Sequence, residues 1–83
     1  MKLIKLQSSS CFPCKQLTKL IDCISPLDRP AMITYDVIDY PEIAKKYNIK
    51  AVPVLIIEDD SGNELNRLNG LPTATELKSF LNV

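Results

Sequence analysis

Val54-Leu55-Ile56-Ile57 is a run of four branched apolar residues with no polar side to offer to water. Read as a strand, it is apolar on both faces and belongs in the middle of a sheet covered above and below. The chain has 83 residues to supply both covers. That is one domain, residues 1–83, in which folding buries only about 60–65% of the surface the unfolded chain exposes. The rest of the sequence must therefore supply flanking helices economically.

It does so in a legible order. Leu3, Lys5 and Gln7 alternate with Lys2, Ile4 and Leu6, a strand covered on both faces at its centre. Ser8-Ser9-Ser10 is a turn with hydroxyls suited to capping a helix. From Phe12 onward Leu17, Leu20, Ile21 and Ile24 form one helical stripe, which Ser25-Pro26 ends. Ala31 to Ile38 is β-branched and aromatic, a second strand. Pro41 to Tyr47 is a short helix with Asn48 as a left-handed stop. Asp59-Asp60-Ser61-Gly62-Asn63 turns the central strand into Glu64 to Leu68, an antiparallel edge strand. Thr73 and Glu76 form a capping box ahead of Leu77, Phe80 and Leu81. The order β-α-β-α-β-β-α is an α/β fold, a four-stranded mixed sheet flanked by three helices. Two βαβ-like steps give parallel strands and the late hairpin adds an antiparallel one. No apolar stripe is left over once the helices dock, so a monomer is expected.

Cys11-Phe12-Pro13-Cys14 falls at the junction of the first strand and first helix. Helix N-terminal N–H groups stabilise a thiolate there, and a neighbouring thiol can release a mixed disulfide. Cys11, at the exposed edge of the turn, is the better attacking group. Cys14, within the first helical turn, is the better resolving group. Pro13 stiffens the loop where no N–H is needed. Lys15 is positioned to lower a thiol pKa or is simply an exposed lysine. Phe12, expected to be exposed, is a substrate anchor or only covers the helix end. A structural zinc needs about four ligands. With His 0 and only Cys23 besides the pair, none is expected. Cys23 lies off the helical stripe and reads as a partly buried spectator. Lys5, charged in mid-strand, either snorkels to the surface or lies near Cys14, and snorkelling is the expectation. Asp59 and Asp60 fall well short of the roughly six oxygens a calcium ion takes.

Ala51-Val52-Pro53-Val54 is the second signal. A proline at the mouth of a central strand deletes a ladder donor. A cis Val52–Pro53 bond accommodates it and leaves Val52 backbone groups free for an extended peptide. A trans proline at the first strand residue is the alternative, and the frequencies of X–Pro bonds favour it.

These pieces together resemble the thioredoxin-like superfamily over nearly the whole chain. The matching stretches are Cys11 to Lys15 between strand and helix, Asp39 to Tyr47, Tyr47 to Leu55, Ser61 to Glu64, and Asn69-Gly70 before a capped helix. The resemblance implies a cis Pro53 beside the cysteines, a nucleophilic Cys11, a resolving Cys14, a redox Cys11–Cys14 disulfide, and a groove lined by Val52, Pro53 and Gly70. The chain starts directly on the cysteine-leading strand, as small phage or archaeal thioredoxins and glutaredoxins do. It differs from thioredoxins at Ser10 and Phe12, where they have Trp and Gly, and at Lys5, where they have a buried Asp. It differs from glutaredoxins at Ala51, and at Asn69 to Thr73, where they carry an acidic run that grips glutathione.

The implied activity is reduction of protein disulfides by a thioredoxin-type electron donor with no cofactor beyond its own disulfide. A flavoprotein reductase or glutathione would restore the dithiol. Two other readings stay open: a glutathione-dependent glutaredoxin, and a non-catalytic binding module on the same fold. Ten Lys+Arg balance ten Asp+Glu, which argues against nucleic acid or an anionic membrane as partner. The N-terminal residues lack the apolar run of a signal peptide, and three cysteines are too few for a secreted scaffold. The expected compartment is the cytoplasm.

Overall fold

The computed structural model describes residues 1–82; Val83, the last residue of the expected domain, lies outside the described residues. The elements are β1 (Lys2–Gln7), α1 (Phe12–Asp22), a 3-10 turn (Pro26–Asp28), β2 (Ala31–Asp36), α2 (Pro41–Lys46), β3 (Val54–Glu58), β4 (Glu64–Asn69) and α3 (Ala74–Leu81). They make one four-stranded sheet in the order β2-β1-β3-β4. The apolar run thus lies in a central strand, and all five residues of β3 are buried.

The alternation in β1 sorts the core into two halves. Leu3 faces Leu17, Ile21 and Ile24 together with Leu55, Ile57, Leu77 and Leu81. Ile4 and Leu6 face Tyr47, Val54 and Ile56, with Tyr35, Val37, Ile43 and Ile49 packed around them. α1 and α3 therefore cover one side and α2 the other, as period-2 strands between amphipathic helices require.

One expected direction is corrected. β1 runs parallel to β2 but antiparallel to β3, and β3 is antiparallel to β4. Only the first crossover is therefore a βαβ unit. The physical reason is the length of α2. Its six residues rise about 9 Å, half the roughly 20 Å of a six-residue strand. The chain stays at the cysteine end of the sheet and enters β3 from there.

Helix ends follow local chemistry. α1 stops at Asp22, short of Ile24, and Ser25 instead caps the 3-10 turn by accepting from the Leu27 N–H at 3.2 Å. Asn48 has φ 55° and ends α2 as expected. At α3, Thr73 Oγ1 accepts from the Glu76 N–H at 3.1 Å, and Glu76 Oε1 accepts from the Thr73 N–H at 3.0 Å. The Asp59 carboxylate is occupied by the turn itself, accepting from the Ser61 and Asn63 N–H groups at 2.9 Å. No helix among the described residues is long and apolar enough to cross a membrane.

Candidate redox site

The two reactive sulfurs lie where β1 hands over to α1. Cys11 is itself the N-cap of α1, a place the preceding serines were expected to fill. Its Sγ accepts from the Cys14 backbone N–H at 3.1 Å. Its own N–H donates to the Ser8 carbonyl at 3.1 Å, which fixes the turn. No acidic side chain stands in the first turn of α1. The free N–H groups and positive helix end therefore act on this sulfur without opposition. Cys11 and Cys14 are disulfide-bonded, with Cα atoms 5.2 Å apart.

The pair is asymmetric. Cys14 is 1% exposed and packed into the core, whereas Cys11 is only partly covered. Phe12, 68% exposed, and Pro13 project beside it.

Chain segments distant in sequence close the site. Cys11 Sγ lies 3.8 Å from the Val52 carbonyl oxygen. The Val52–Pro53 bond is cis, which corrects the trans form favoured by bond frequencies and agrees with what the resemblance implied. The Gly70 N–H donates to the Pro53 carbonyl at 2.9 Å. Val52, Pro53 and Gly70 together border an open groove of about 420 Å³, with Lys50, Arg67 and Asn69 along its wall. Arg67 is committed there, bonding Glu64 and the Tyr47 carbonyl. All the predicted site residues thus gather at one end of the sheet. Lys15 is exposed and lines a separate crevice beside Cys14.

Two expectations fail. Cys23 is exposed, not partly buried, because α1 ends one residue before it and it caps the helix from outside. Lys5 does not snorkel. It is 3% exposed, and its Nζ donates to Gln7 Oε1 at 2.7 Å and to Thr18 Oγ1. Its burial pushes the ammonium pKa down, partly offset by Asp22. Thr18 escaped sequence reasoning, although it stands four residues after Cys14 and so on the same helix face. Among the described residues no three His, Cys, Asp or Glu side chains converge where a metal ion could be held.

A family model described as a thioredoxin domain matches residues 2–82. The chain belongs to the thioredoxin family. A thioredoxin-like protein from the SPbeta prophage of Bacillus subtilis is 36% identical over 84% of this chain and 82% of its own length. A thioredoxin from Chlamydia caviae is 30% identical over 96% of this chain and 78% of its own. The solved structure of a point-mutant thioredoxin from Halobacterium salinarum superposes with a TM-score of 0.86. It covers 98% of this chain and 71% of that one, at 23% identity. As in the thioredoxin family generally, the chemistry here is thiol–disulfide exchange at a CxxC pair. The chain is a thiol–disulfide oxidoreductase whose dithiol is Cys11 and Cys14.

Proposed function

We propose that this thioredoxin-family protein works as a reductant of protein disulfides, with Cys11 attacking and Cys14 resolving. The asymmetry of the two sulfurs carries this reading. Cys11 is the one a substrate can reach, and the Cys14 N–H already donates to its sulfur. The same bond favours a thiolate in the reduced protein. Val52 offers backbone groups beside that sulfur, and the groove along Pro53 and Gly70 gives an extended substrate segment somewhere to lie. Phe12 and Lys15 flank the reacting atoms and tune substrate approach.

Trapping tests the assignment of roles. With Cys23 replaced by Ser to remove the exposed thiol, Cys14→Ser should accumulate a mixed disulfide with oxidised insulin, and Cys11→Ser should not. The opposite pattern overturns the order of attack. A protein that keeps its biological role as Cys11→Ser would be a binding module instead.

The electron source is a second part of the proposal. The Asn69 to Thr73 segment has no carboxylate to hold a glutathione amine, which supports a flavoprotein reductase over glutathione. Turnover with NADPH and a thioredoxin reductase, against turnover with glutathione and its reductase, separates the two. We place the activity in the reducing cytoplasm, because an exposed unpaired Cys23 is open to cross-linking in an oxidising compartment.

A further inference from the structure

A lysine ammonium is rarely buried without a paired carboxylate. Lys5 is buried mid-strand and touches only neutral oxygens, those of Gln7 and Thr18. Thr18 donates in turn to the Cys14 carbonyl at 3.1 Å. Gln7, Thr18 and Cys14 together line a crevice of about 280 Å³ that shares no lining residue with the substrate groove. The ammonium is thus fixed by two residues that share a cavity with the buried sulfur.

We propose that Lys5 is a positioning residue for the second half of the reaction, its positive charge favouring the Cys14 thiolate over the thiol. This rests on the reading of Cys14 as the resolving thiol. In that step Cys14 gives its proton to solvent through the crevice. The thiolate attacks the Cys11 sulfur of the mixed disulfide. A Cys11–Cys14 bond forms, the bond from Cys11 to the substrate breaks, and its electron pair leaves on the substrate sulfur, which takes a proton. The dithiol is oxidised by two electrons and the substrate disulfide is reduced. Lys5 keeps its proton throughout.

The surroundings leave this charge largely unopposed. On β1 itself the neighbours on this face are Leu3 and Gln7. β2 and β3 place Thr34 and Leu55 opposite Lys5. α3 turns Leu77 and Leu81 inward, with Glu76 and Lys78 exposed. α1 contributes Lys15 and Lys19 along the crevice and an exposed Asp22. Asp36, at the end of β2 beside Gln7, is spent on the N–H groups of Ser9 and Ile38. In a site of reduced dielectric, an opposite charge shifts a thiol pKa downward.

The test is the titration of Cys14 itself, followed by its ¹³Cβ chemical shift in a Cys11→Ser, Cys23→Ser background. Lys5→Met should raise the midpoint by about one pH unit. Lys5→Arg, which keeps the charge, should leave it low. Resolution of a preformed mixed disulfide at neutral pH should slow roughly tenfold in Lys5→Met, while attack by Cys11, measured in Cys14→Ser, is unchanged. A midpoint that does not move overturns the proposal. If Lys5→Met does not fold, reciprocity supplies the second measurement without touching Lys5. The Lys5 ¹³Cε titration must then shift upward in the presence of the Cys14 thiolate, relative to Cys14→Ala, and an identical titration overturns the proposal. Failure of Cys14→Ser to trap substrate would remove the resolving role instead, a result separable from either titration.

Discussion

The Gly70 N–H donates to the Pro53 carbonyl at 2.9 Å, so the end of β4 is tied to the residue that starts beside Cys11 and leads into β3. Two segments far apart in sequence are locked into a single groove wall by one backbone bond. Gly70 can make it because it sits at φ 79°, in the left-handed region. A Cβ there would meet nothing within 4 Å. Gly70→Ala should therefore cost only its backbone conformation, about 1–2 kcal/mol, read from urea denaturation. The groove should loosen as well, raising KM for a protein disulfide more than it lowers kcat.

Phe12 is 68% exposed and contributes little to the core. Phe12→Ala should leave the melting temperature nearly unchanged. With a protein substrate that covers the ring, KM should rise roughly tenfold, the equivalent of about 1.4 kcal/mol. Reaction with a small aromatic disulfide too short to reach it should change little. Equal losses with both substrates would place the effect on Cys11 instead of on docking.

Tyr47 lies in the α2-side core, and its hydroxyl donates to the buried Glu58 carboxylate. Burial first, and then that hydrogen bond, raise the phenol pKa above its ordinary 10.0. The folded protein therefore holds this proton more tightly than the unfolded chain does. The contribution to stability is complete below the unfolded pKa and is lost as pH rises beyond it. Tyr47→Phe leaves Glu58 buried without its donor and should cost about 2–3 kcal/mol near neutrality. Paired urea melts at about pH 8 and about pH 11 should show the gap between the two proteins narrowing in alkali.

The capping box of α3 holds Leu77 and Leu81 in register with the sheet. Thr73→Ala should lower stability by about 1 kcal/mol, a fall in Tm of roughly 4–8 °C for a domain of this size. Activity at room temperature should be unaffected, since Thr73 touches neither sulfur.

Much of this architecture could be read from residues in order. The Cys11 to Cys14 stretch sits between a period-2 segment and a period-3.6 segment, and that change of period alone places it at a helix start. Pro41, Asn48 and the Thr73–Glu76 pair mark helix ends by chemistry that acts within a few residues, so they were legible too. The direction of β3 was not, because it depends on how far the six residues of α2 carry the chain across the sheet, which no pattern within a few residues records. Lys5 misleads for a related reason. Its partners, Gln7 and Thr18, are polar residues that look solvent-facing until α1 is laid on β1. The expectation for Cys23 rested on what free cysteines commonly do, and the early end of α1 overrode it.

The hairpin Asp59 to Asn63 closes β3 and β4 at the end of the sheet opposite the sulfurs. The five residues of β3 put it about 17 Å from the groove. Most of its bonds are internal: Asp59 holds Ser61 and Asn63, and Gly62 returns an N–H to the Asp59 carbonyl at 3.1 Å, while Asp60 accepts from the N-terminal ammonium of Met1 at the same far end of the sheet. A dye, a bead tether or a fused partner grafted at Ser61 would leave electron exchange undisturbed. The molecule thus has a handle at one end and a working tip at the other.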